Sequence, residues 1–123
     1  MDVLRLQSES DYVSALKEVS LFFNAKPEAA VSILGLLVAV ENYEAKRFAV
    51  FGDAHTQLRA DARSSLLTYL KRYMSRVISP SSADRWITQP KRFLDGLSPY
   101  EAVAKGKGAQ VIERLEQAKN GFF

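Results

Sequence analysis

The sequence predicts an all-α protein, a compact bundle of short and medium helices, and three observations carry that prediction. Apolar residues recur at helical spacing along most of the 123-residue chain. Strong helix starts and stops punctuate it, above all Ser98-Pro99-Tyr100-Glu101, a capping box with proline at the first helical position. The one stretch that reads as a strand, Phe48–Phe51, has no visible partner with which to form a sheet.

The elements follow in order. Tyr12, Ala15, Leu16, Val19, Phe22 and Phe23 share one helical face, in a helix that starts near Ser8 or Glu9 and stops near Ala25. Pro27 restricts Lys26 and suits the first turn of a second helix, which reaches about Lys46. That helix is apolar nearly all round from Ala29 to Val40, the mark of an element touched on several sides. Phe48, Val50, Phe51 and Gly52-Asp53 read as a connector, dividing residues 1–52 from residues 53–123.

A third helix spans roughly Ala54 to Ile78, with Leu58, Ala62, Leu66, Tyr69, Leu70, Tyr73 and Val77 as its stripe. Ser81 or Ser82 caps a short helix bearing Trp86 and Ile87. Pro90 opens a brief turn through Phe93 and Leu94 that Gly96 closes. Gly106-Lys107-Gly108 breaks the helix begun at Ser98, and a last helix carries Val111, Ile112, Leu115 and Ala118 before Asn120-Gly121.

Composition excludes several classes of function. With no cysteine there are no disulfides and no thiolate metal sites, which fits a reducing cytoplasm. No signal peptide is evident, and the Ala29–Val40 run falls short of the roughly 20 residues a membrane span needs. Charge is uneven, −2 over residues 1–60 and +5 over residues 61–123. Such a bias suits an acidic partner or nucleic acid, although solvated helix surfaces account for it more often.

The catalytic inventory is nearly empty. His55 stands alone near a helix start, an ordinary surface or capping position. Glu41 with Glu44, and Glu113 with Glu116, share helix faces and read as solvated carboxylates. HExxH, EF-hand and P-loop motifs are absent, and Gly106-Lys107-Gly108 lacks the spacing of a nucleotide fingerprint. The expectation is a protein that is not an enzyme and uses no metal or cofactor.

Two features stand out. The chain finishes on Asn-Gly-Phe-Phe, and two terminal phenylalanines are costly to expose; composition alone favours folding them back onto the core. Trp86, Pro90, Leu94, Gly96, Pro99, Gly106, Gly108 and Gly121 crowd into 36 residues, which describes a specific shape of short helices.

The order Ala83-Asp84-Arg85-Trp86-Ile87, Pro90, Leu94-Asp95-Gly96, Ser98-Pro99, Gly106, Val111, Leu115 and Gly121-Phe122 resembles the Xre/MbcA/ParS toxin-binding domain of bacterial antitoxins, over about residues 62–123. The resemblance implies a cognate toxin as partner, typically a RES-type enzyme that consumes NAD. It further implies that Gly121, Phe122 and Phe123 plug the toxin's active site while Trp86, Pro90, Leu94, Gly96 and Pro99 form the platform that meets it. The N-terminal part is similar instead to the helical leader of HigA-like antitoxins, through Ser8–Tyr12, Ala15-Leu16, Ala25-Lys26-Pro27 and Val40–Lys46. No helix-turn-helix is recognisable between the two.

The alternative is a DNA-binding regulator or autorepressor whose third helix sets Arg59, Arg63, Lys71, Arg72 and Arg76 against phosphates. Under either reading a homodimer is expected, because the Ala29–Val40 helix carries more apolar surface than a few neighbours cover.

Overall fold

A computed structural model describes residues 6–51 and 55–119 of the chain. Among these residues every regular element is helical: α1 (Glu9–Val19), α2 (Ala30–Phe51), α3 (Thr56–Met74), α4 (Pro80–Trp86), α5 (Pro99–Ala104) and α6 (Gly108–Lys119). Single 3₁₀ turns lie at Phe22–Asn24, Pro27–Ala29 and Arg92–Leu94. The all-α class read from the sequence is the class observed. Gly52, Asp53 and Ala54, together with Asn120, Gly121, Phe122 and Phe123, lie outside the described residues. No helix among those described is long and apolar enough to cross a membrane.

The helix α3 is the hub. Against it pack α1, the Phe22–Asn24 turn, α4 and α5, while α2 touches α1 on one side and α6 on the other. One core joins them, with Tyr12 and Leu16 from α1, Leu37 from α2, Leu66 and Leu70 from α3, and Ile112 from α6 all in it. Residues from before and after the expected connector therefore share the same apolar interior.

Local chemistry explains most boundaries. Ser8 is extended and its hydroxyl accepts the Asp11 N–H, which starts α1 where the sequence places it. The helix stops at Val19, however, well short of Ala25. There the Ser20 hydroxyl bonds back to the Leu16 carbonyl, and the chain tightens into a turn that buries Phe22. That turn rotates Phe23 off the apolar face, so the ring is half exposed while its backbone N–H donates to Ser65 Oγ at 2.6 Å.

The expected connector is helix. No residue between Lys46 and Phe51 breaks a helix, so α2 runs on to Phe51, and the strand considered for Phe48–Phe51 does not form. Likewise α3 is shorter than expected: it ends at Met74, where Ser75 bonds the Lys71 carbonyl. Val77 consequently leaves the stripe and is 73% exposed. The cap of α4 is Ser79, not Ser81 or Ser82, because Pro80 takes the first helical position and the Ser79 hydroxyl accepts the Ser82 N–H. The turn after Pro90 begins only at Arg92, with Asp95 and Gly96 both at positive φ.

The Ser98–Glu101 box is complete, each residue's side chain accepting the other's backbone N–H. Beyond α5, Gly106 turns the chain at φ 75°. Gly108 then begins α6 so close to α3 that a methyl group added there would lie 2.6 Å from Cδ2 of the buried Leu66.

Two glycines should therefore respond in opposite directions to the same change. Gly108→Ala forces Leu66 to shift in a packed core and should destabilise the fold by about 1–3 kcal/mol. Gly35→Ala adds a methyl group with nothing within 4 Å, in mid-helix, and should stabilise it by roughly 0.5–1 kcal/mol. Urea midpoints moving apart in this way check both; a neutral Gly108→Ala would show that Leu66 has room to yield.

Candidate partner-binding surface

Residues 79–104 fold as α4, a loop and α5 in a closed hydrogen-bonded unit. The Lys91 N–H donates to the Leu97 carbonyl at 2.9 Å, Gly96 N–H to Lys91 at 3.0 Å, and Tyr100 N–H to Ile87 at 2.9 Å. The last bond sets the start of α5 against the end of α4. Within this unit the predicted platform residues separate. Leu94 and Pro99 are buried and act as its internal packing. Pro90 and Gly96 are exposed, and Trp86 is half-buried at the rim.

Three further residues of this surface escaped sequence reasoning. Lys91 Nζ lies 5.3 Å over the Trp86 ring, and the guanidinium of Arg114 on α6 lies 5.6 Å from the Phe93 ring centre. Partial burial lowers the Lys91 pKa. Tyr100 is 54% exposed, because it faces away from the buried Ala102 and Val103. For Tyr100 a signal existed, namely its place one residue after the proline of a capping box. For the cation–ring pairs there was none, since each depends on how the loop closes.

The cations of α3 point to different sides. Arg59 and Arg63 line a cavity of about 30 Å³ together with Glu41 and Glu44. Lys71 pairs with Asp84 of α4 at 3.4 Å, Arg76 pairs with Glu28 at 3.0 Å, and Arg72 donates to the Phe23 carbonyl at 2.5 Å. With helical residues about 100° apart, Arg59, Arg63, Lys71 and Arg72 spread around more than half of α3, and Arg76 lies beyond its end.

The carboxylates are less solvated than the sequence suggests. Glu41 is drawn into the junction of α2 and α6, where Oε2 accepts the Ala109 N–H at 2.9 Å. Burial, with Glu44 nearby, lifts its pKa to about 7 against the opposing pull of that bond. Glu44 accepts the hydroxyl of the fully buried Tyr12 at 2.5 Å, and Tyr12 stacks on Tyr43 with ring centres 5.0 Å apart. Burial and Glu44 together keep that phenol protonated. Glu116 accepts the Tyr73 hydroxyl at 2.6 Å, leaving Glu113 as the solvated member of its pair. His55 meets Glu9 at 2.8 Å, which ties α1 to the start of α3.

The small cavity beside Glu41 has room for about one water molecule. An open groove of about 420 Å³ adjoins it, lined by Glu41, Glu44, Arg63 and Lys105 among others. Among the described residues no group of three or more carboxylates and histidines is placed to hold a metal ion. The arrangement offers one acid–base group near neutrality and, separately, a surface of rings and cations.

No protein-family model, curated protein or solved structure matches this chain.

The raised pKa of Glu41 has a definite sign. The folded state holds this proton more tightly than the unfolded chain, so the contribution is full below about pH 4.5 and is lost as pH rises through 7. Glu41→Gln keeps an oxygen for the Ala109 N–H but cannot ionise. It should remove an alkaline destabilisation on the order of 1–2 kcal/mol between pH 5 and pH 8. An unchanged difference between urea midpoints at those two pH values would mean that Glu41 does not titrate there.

Proposed function

We propose that this chain is an antitoxin-like binding module that neutralises a partner enzyme by occlusion, with residues 121–123 as the plug and the α4–α5 unit as the platform. The observation that carries the reading is that Trp86, Pro90, Leu94, Gly96 and Pro99, spaced as in the Xre/MbcA/ParS toxin-binding domain, fall within one hydrogen-bonded unit. Inward residues lock it and a ring of exposed ones faces outward. Support also comes from α6, which is anchored in the core by Val111, Ile112 and Leu115 and leads directly to the proposed plug.

In this proposal the chain is not an enzyme, uses no cofactor and works in the cytoplasm. Its partner is a RES-type, NAD-consuming toxin. The plug acts because two phenylalanine side chains gain about 1.5–3 kcal/mol each on entering an apolar pocket. A second copy of the chain meets α2 along its exposed apolar side, at Val31, Gly35 and Val38. A strict monomer in sedimentation at high concentration would remove the homodimer from the proposal.

Removing Gly121–Phe123 should leave the thermal midpoint nearly unchanged and weaken inhibition of the toxin by more than about 100-fold. The check is an NAD-consumption assay of the toxin co-purified from cells, titrated with the intact or the shortened chain. Equal potency of the two would reject the plug.

A further inference from the structure

One face of the α4–α5 unit and α6 carries cations with no carboxylate set against them. The pairs Lys91–Trp86 and Arg114–Phe93 are neighbours, because Lys91 and Phe93 belong to one closed loop. The Gln110 side-chain amide donates to the Phe93 carbonyl at 3.2 Å and fixes that loop to α6, which bears Arg114. Arg92, next to Lys91 in that loop, is exposed.

Of the other cations, Lys71 pairs with Asp84 and Arg76 with Glu28. Among the described residues, Lys91, Arg92 and Arg114 form no ion pair. The nearby acids are differently placed: Glu101 is used in its capping box, and Asp95 is held at the loop turn in the left-handed conformation. Half-buried Lys91 has thus lost part of its hydration without gaining a counter-charge.

We infer that this face receives a carboxylate-bearing protein segment, an acidic stretch of the partner whose Asp or Glu side chains pair with Lys91, Arg92 and Arg114. The inference rests on the partner-binding reading above for the partner being a protein. Geometry also separates it from single-stranded nucleic acid. Bases bind such surfaces by stacking on open aromatic faces, whereas here protein cations already lie over Trp86 and Phe93, the two rings beside these cations. A carboxylate needs no open ring face. It gains charge-assisted hydrogen bonds from cations that the rings hold in place.

Trp86 is the chain's single tryptophan, so the site carries its own reporter. The full chain would be titrated with a capped 12-residue Asp/Glu peptide, its Asn/Gln counterpart and oligothymidylate of the same length, all at equal ionic strength. The acidic peptide should give a saturable change in Trp86 emission that the amide peptide lacks. Its affinity should fall at least about tenfold in the Lys91→Gln, Arg114→Gln double variant, with helical content unchanged.

Tighter binding of oligothymidylate, no saturable response to the acidic peptide, or full affinity in the double variant would each overturn the inference. The same variant separates this idea from occlusion. If it still captures the toxin as tightly as the intact chain, the acidic-segment surface is wrong and the plug stands. Loss of capture in a chain that retains Gly121–Phe123 supports the surface.

Discussion

Everything in this fold depends on how closely the start of α6 approaches α2 and α3. A glycine at position 108 lets the chain come within reach of Leu66, and that approach brings the Ala109 N–H to the Glu41 carboxyl. One junction thus joins the first half of the chain to the last helix by a hydrogen bond and by close packing. Were α6 to sit further out, Val111, Ile112 and Leu115 would lose their buried environment. An acid in a partly desolvated position is the cost of this arrangement. The neutral form of Glu41 tolerates it better than the charged one.

The α4–α5 unit shows a division of labour. Residues that look equally distinctive in the sequence have two different jobs. Leu94 and Pro99 hold the unit together from inside, while Pro90, Gly96 and the rim of Trp86 are what another molecule could touch. Such a unit is rigid through its backbone bonds rather than through long elements, since α4 and α5 have only seven and six residues. Short helices of that length are not stable alone and take their order from the tertiary contacts with α3.

Legibility in the sequence followed the range of the interaction involved. Signals that act over three or four residues were readable: the Ser8 cap, the Ser98–Glu101 box, and the apolar faces of α1 and α3 with their buried Tyr12, Leu16, Leu66 and Tyr69. Boundaries set by competition between local and distant bonds were not. Ser20 bonds back to Leu16 where α1 ends, and Ser65, 42 residues away from Phe23, holds the turn that follows. The same holds for the candidate surface. Trp86 and its spaced neighbours could be picked out from one dimension, but the Lys91 and Arg114 side chains that accompany the rings could not. Glu41 was misread as a solvated carboxylate for the same reason, since its partner lies 68 positions further on.

The burial of Tyr12 reaches beyond the site itself. This ring from the first helix is wholly enclosed, stacked on Tyr43 and bonded to Glu44, while Leu16 and Val19 complete the cover over the chain's interior. Because α1 also packs along α3, the second half of the molecule is not closed off by itself. Grafted onto another protein without the first helix, it would expose the flank of α3 that α1 covers. A graft that borrowed the proposed platform would have to carry the first helix with it.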